Sequence, residues 1–218
     1  MSITVETAAS VTAMTTIDAV KQALDMESDN SKNALIERLI DAATSALEEY
    51  AGRVFALQTY VEQLAGTDHP YLMVTHLPLK SVTQIIVDSE IITDYSIQDD
   101  QSGTLYRATG WSRFGYVGWD VERYRIPHTS QLNIYVTYTA GYVMPGEDDR
   151  DLPARFEEAA IRTVAAWMRQ NLRGGTDVAS RKVGDLSITY RDVDASIDAS
   201  TLGLPPDARA LVGQRATL

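Results

Sequence analysis

Tyr138-Thr139-Ala140-Gly141-Tyr142, then an acidic loop, then Leu152-Pro153 and a helical run into Trp167, is the stretch that decides the fold. Upstream of it, Leu132, Ile134, Val136 and Tyr138 alternate with Asn133, Tyr135, Thr137 and Thr139, the period of a strand with one buried face. Gly141 closes that strand with a turn, and Pro153 suits the first turn of a helix. Phe156, Ala160, Val164 and Trp167 then line one helical face, with Ala159 and Ala166 permitting close approach. Gly174-Gly175 ends the run, and Arg169 and Arg173 favour its negative C-terminal end.

Working toward the N-terminus, Ile36, Ile40, Ala43, Leu47 and Tyr50 recur at helical spacing, and Leu35, Leu39 and Ala46 widen the stripe. Asn30 or Ser31 is expected to cap this helix, and Gly52 to end it in the left-handed conformation. A shorter helix over 16–24 starts at Thr16. Between the long helices the period drops toward two. Strands are expected near 57–62, 71–74, 82–87, 91–97, 104–107 and 132–139, and a further one over 183–190. A short helix follows Leu204-Pro205-Pro206. The fold class read from this order is α+β: a small helical bundle with an inserted antiparallel β subdomain and a projecting hairpin. The divisions are a flexible N-terminal arm over 1–15, a helical core over 16–55 and 150–218 with its C-terminal tail, and the β subdomain over 56–149.

Residues 111–130 interrupt the regular strands and form the expected projection. This stretch contains Trp111, Arg113, Phe114, Tyr116, Trp119, Arg123, Tyr124 and Arg125. Aromatic side chains need a surface to pack on, which argues for contact with a partner or with another copy of the chain. The arginines, with Arg107, could instead touch phosphates. The net charge of −11 favours the protein–protein reading, because an acidic surface repels DNA.

No chemistry-bearing motif stands out. The 218 residues include no cysteine, so disulfides and thiolate metal sites are excluded. His69, His76 and His128 lack metal-ligand spacing, and no Gly-x-Ser-x-Gly elbow is present. Asp99-Asp100-Gln101-Ser102-Gly103 resembles only the start of a calcium loop, lacks the later bidentate Glu, and reads as a β-turn. Glu147, Asp148, Asp149 and Asp151 read as a solvated loop. No catalytic residue, metal or cofactor is expected. The first fifteen residues carry no basic n-region, and no apolar run is long enough for a bilayer, so no membrane association is expected.

Several of these pieces, in this order, resemble the head–tail connector (adaptor) proteins of tailed bacteriophages. They are the helix exit Tyr50-Ala51-Gly52-Arg53, Leu77-Pro78-Leu79 with Ser81-Val82, Tyr95-Ser96-Ile97, Gly103-Thr104-Leu105, Ala140-Gly141-Tyr142, Leu152-Pro153 and Trp167. The likeness spans residues 16–212. It departs from the family where Met168-Arg169 follow the helix Trp in place of a Tyr, and in the length of the 111–130 excursion. The resemblance implies a structural ring, usually of twelve copies, in the virion neck below the portal, made in the host bacterial cytoplasm. Double-stranded DNA would pass through its lumen without sequence specificity, and a stopper or tail-completion protein would follow it. It also implies that the tail carrying Leu202, Leu204, Leu211 and Val212 grips the portal, although those residues could equally cap the chain's own helices. The alternatives are another neck part, such as a stopper or tail-completion protein, and a small hydrolase.

Overall fold

The computed structural model describes residues 2–112, 132–172, 180–183, 186–189 and 202–213. The fold is α+β, and the chain divides into two compact units. One comprises Met1–Ser10 with Val54–Tyr142, the other Val11–Arg53 with Val143–Leu218.

The first unit contains eight strands among its described residues: β1 (Ser2–Thr7), β2 (Gln58–Leu64), β3 (Tyr71–Met73), β4 (Leu79–Val87), β5 (Glu90–Ile91), β6 (Ser96–Asp99), β7 (Thr104–Tyr106) and β8 (Ile134–Ala140). The larger sheet runs β1-β2-β8-β4-β5 with every neighbouring pair antiparallel. A three-stranded sheet runs β3-β7-β6. β8 is the central strand, and its alternation holds as expected: Ile134, Val136, Tyr138 and Ala140 are buried. They share a core with Tyr60, Leu72, Ile85, Leu105 and Trp111. The strand expected over 91–97 is instead two short ones, β5 and β6, in different sheets.

Gly141 shows why the Ala-Gly-Tyr stretch matters. Its φ is +112°, and a Cβ there would collide with the Ala56 carbonyl and lie 2.9 Å from that of Phe55. Only glycine fits so close a backbone approach. Gly141 N–H donates to the Pro78 carbonyl (3.0 Å), Tyr142 N–H to Phe55 (2.8 Å) and Leu57 N–H to the Tyr142 carbonyl (2.9 Å). The end of β8 is thereby tied to both flanking segments.

The second unit holds α1 (Ile17–Ala23), α2 (Asn33–Ala51), α3 (Ala154–Leu172), α4 (Pro206–Val212) and a hairpin of β9 (Ser180–Val183) with β10 (Leu186–Thr189). The single strand expected over 183–190 is therefore the second arm of a hairpin. Thr16 caps α1 as expected, its hydroxyl accepting from Ala19 N–H. Gly52 ends α2 at φ +63°, with Gly52 and Arg53 N–H donating to Glu49 and Glu48 carbonyls. The start of α2 differs from expectation. Lys32 stands at the N-cap without a side-chain cap bond. Ser31 donates from both N–H and hydroxyl to Asp29 Oδ1 (2.8 and 2.6 Å), and Asn30 Oδ1 accepts from the nearly buried Lys21 Nζ (2.6 Å). Local side-chain bonds thus engage both candidate caps.

The helical core is built from Val20, Ile36, Leu39, Ile40, Ala43, Val164 and Met168. Trp167 is only partly buried and donates its indole N–H to the Gly203 carbonyl at 3.1 Å. Among the described residues no helix is long and apolar enough to cross a membrane.

Candidate functional site

Of residues 111–130, the structure describes Trp111 and Ser112. Trp111 is fully enclosed in the β core, where its indole N–H donates to the Pro70 carbonyl (3.0 Å). Its backbone donates to the His69 carbonyl and accepts from Asp68 N–H. Trp111 was grouped by sequence with the contact residues; it is fully buried in the β core, and a side chain filling a core has no face left for a partner. Arg113, Phe114, Tyr116, Trp119, Arg123, Tyr124 and Arg125 lie outside the described residues, as does His128. Arg107 is engaged locally. Its Nε donates to Asp94 Oδ1 at 2.9 Å, and its guanidinium sits 5.8 Å from the Trp111 ring centre. That arginine bond holds the Asp94 carboxyl below the ordinary carboxylate range.

The C-terminal residues lie on α4 and the turn before it. Leu204 and Val212 are buried within the helical unit, while Leu202 and Leu211 are partly exposed. Arg162 of α3 bonds Glu158 (2.7 Å) and reaches Asp207 of α4 (3.4 Å). Alongside lies an open cleft of about 480 Å³ whose lining includes Ala19, Ala23, Ala165 and Ala166, with Arg162 and Arg169 among the charged residues there.

The main polar cluster of the β unit was not singled out by sequence. Glu62, fully buried on β2, accepts from the Tyr138 hydroxyl (Oε2, 2.6 Å), from Thr75 N–H (Oε2, 3.0 Å) and from the Thr75 hydroxyl (Oε1, 2.5 Å). His76 N–H donates to the Tyr138 hydroxyl (3.2 Å), and the His76 ring stacks on Tyr60 at 3.9 Å. Burial, then the Glu62 bond, push the Tyr138 phenol far above its ordinary value. The Tyr138–Glu62 bond ties β8 to β2, the bonds from Thr75 and His76 fix the 75–76 segment to the sheet, and Glu62 is fully buried. The signal was available: Glu62 falls in register with Tyr60 and Leu64 on the core face of a period-two strand, where a carboxylate needs partners.

Among the described residues no group of His, Asp and Glu is arranged to hold a metal. Asp99 is engaged in its own turn, its carboxyl held low by the Ser102 hydroxyl and Gln101 N–H. What the described surface offers instead is sheet edge and exposed apolar side chains: Ile3, Val5, Tyr71, Met73 and Ile91.

The described residues thus form an α+β fold with exposed apolar side chains on β1, β3 and β5. Residues 13–191 match the family described as head completion protein, and the chain belongs to that family. No curated protein matches it. Solved structures similar in fold include the following three. One is from the "Virion of native gene transfer agent (GTA) particle", at 14% identity and TM-score 0.51, covering 78% of this chain and 84% of that one. A second, "Neck of empty GTA particle computed with C6 symmetry", gives 16% and 0.52 with the same coverage. The third, "Neck of native GTA particle computed with C12 symmetry", gives 12% and 0.51 over 100% of this chain and 98% of that one.

Proposed function

We propose that the chain is an adaptor subunit of the neck of a phage-like particle: it forms a ring below the portal, extends the DNA channel and joins it to the tail. The observation that carries this reading is membership of the head completion family across residues 13–191. Supporting it, similar folds occur in structures of a particle neck computed with six- or twelvefold symmetry. A heterologous contact repeated by a closing rotation gives a ring, and a permanent junction of this kind buries on the order of 2,000 Å² or more. The net charge of −11 suits a channel that duplex DNA crosses without sticking.

In this reading Arg113, Phe114, Tyr116, Trp119, Arg123, Tyr124 and Arg125 supply contacts between subunits or with a partner, rooted by Trp111. Leu202 and Leu211 are the C-terminal residues with exposed surface to offer the portal, while Leu204 and Val212 hold the segment in place. The protein is a mechanical joint with no reaction to catalyse. A stopper or tail-completion role is the second reading, favoured only by the breadth of the family description. Portal pull-down separates them. An adaptor is retained by isolated portal rings, and truncation after Ser200 abolishes retention. A stopper is retained only when another neck protein is already bound, and that result would overturn the adaptor assignment.

A further inference from the structure

We infer that β1 is an inter-subunit strand: its outer edge pairs with β4 of a second copy, so that the large sheets join into a continuous belt around the ring. The inference rests on the ring reading above and deepens it.

β1 is anomalous within its own unit. All six of its residues are exposed, so its order depends on one ladder of hydrogen bonds to β2, without burial of its own side chains. An edge strand with an open outer side is a template for another strand, and proteins that avoid such pairing place lysine or proline there. β1 carries neither, only the single charge of Glu6. Its apolar residues also face the core side of the sheet. Ile3 lies opposite the buried Glu62 and Val5 opposite the buried Tyr60, yet they are 36% and 46% exposed. They extend the core row past the point where this unit covers it.

The other edge of the same sheet is suited to receive β1. β5 pairs with β4 only at Ile86 and Val87, Ile92 N–H donates to the Ile85 carbonyl and Leu79 N–H to the Asp100 carbonyl, so the edge offered to β1 is the 80–84 stretch between those two ties. The only charged residue on β4 is Lys80, opposite in sign to Glu6. Direction also agrees. Three successive antiparallel pairings separate β1 from β4, so the two run in opposite senses. Rotation about an axis near the strand direction preserves those senses, and β1 of one copy then meets β4 of the next in antiparallel fashion. Strand addition of this kind draws its affinity from main-chain bonds.

The absence of cysteine makes a direct test clean. Thr4, Gln84 and Ser81 lie on the outer face, in rows traced through Val61–Thr137 and Thr59–Thr139. Within one chain, β1 and β4 are three strand spacings apart, about 14 Å, whereas a disulfide needs Cα atoms within about 7 Å. Particles assembled with Thr4→Cys plus Gln84→Cys, or Thr4→Cys plus Ser81→Cys, are oxidised and run on denaturing gels. The expected result is a ladder of covalent multimers from at least one pair, and monomer from each single variant. A ring of this chain visible in the neck of those particles, with no ladder from either pair, overturns the strand pairing and leaves the ring reading standing. A covalent dimer from Thr4→Cys alone overturns it in favour of symmetric β1–β1 contact. If microscopy finds no ring of this chain, both readings fall.

Discussion

The β unit gathers its buried polar groups into one cluster, whereas the helical unit bonds them one at a time. In the sheet, a fully buried carboxylate, Glu62, is surrounded by donors from Thr75 and Tyr138 that come from distant parts of the chain. In the helical unit the buried polar groups bond singly: the Thr163 hydroxyl donates to the Ala159 carbonyl one turn back, at 2.8 Å, and the Thr44 hydroxyl accepts from Met14 N–H at 3.2 Å. A network of non-local partners specifies one arrangement and fails as a whole; a local bond can be removed without disturbing its neighbours. The β unit is therefore the part whose single polar substitutions carry large effects.

The largest expected effect is that of Glu62→Ala. It removes the acceptor of the Thr75 N–H and hydroxyl and of the buried Tyr138 hydroxyl, and should cost about 4 kcal/mol in urea denaturation. A loss below about 1 kcal/mol would show that the cluster is not a stabilising network. Next is Tyr138→Phe, which removes one donor to the carboxylate and the acceptor of His76 N–H, with an expected loss of about 2 kcal/mol.

The same pair gives a pH dependence. The Tyr138 phenol is held protonated in the fold above its ordinary value, so the unfolded chain loses that proton first as pH rises. The stabilisation is complete below about pH 10 and declines above it. Comparing thermal melts of the parent and Tyr138→Phe between pH 9 and 11 should show a steeper alkaline decline in the parent; parallel declines contradict the assignment. In the helical unit, Thr163→Ala should change stability by no more than about 1 kcal/mol, since it deletes a hydroxyl whose carbonyl acceptor stays in the helix ladder. Smallest is Arg162→Ala. Its ion pairs with Glu158 and Asp207 are exposed, and the expected change lies within about 0.5 kcal/mol.

The contrast between the units also sets what could be read from sequence. Helix α2 was legible because Ile36, Ile40, Ala43 and Leu47 interact within one element and Gly52 marks its end locally. β8 was legible from its own alternation. The pairing of β8 between β2 and β4, and the gathering of Thr75 and Tyr138 about Glu62, depend on partners far apart in sequence, which periodicity does not encode. β1 was hidden by composition: Ser2, Thr4 and Thr7 suggested an arm, although Ile3 and Val5 alternate with them as in a strand. The contact role proposed for Arg113 to Arg125 rests on composition alone, and those residues lie outside the described structure. Trp111 is buried in the β core, and its enclosure depends on partners such as Leu72 and Leu105 that periodicity does not encode.

The central claim is that copies of this chain close around the DNA path in the particle neck. Cryo-electron microscopy of the neck, reconstructed without imposed symmetry and with the chain marked by a small tag, tests it most directly. A closed ring of tagged density beneath the portal and around the DNA is the predicted result. Tag density elsewhere on the particle, or a single copy at the neck, contradicts the account.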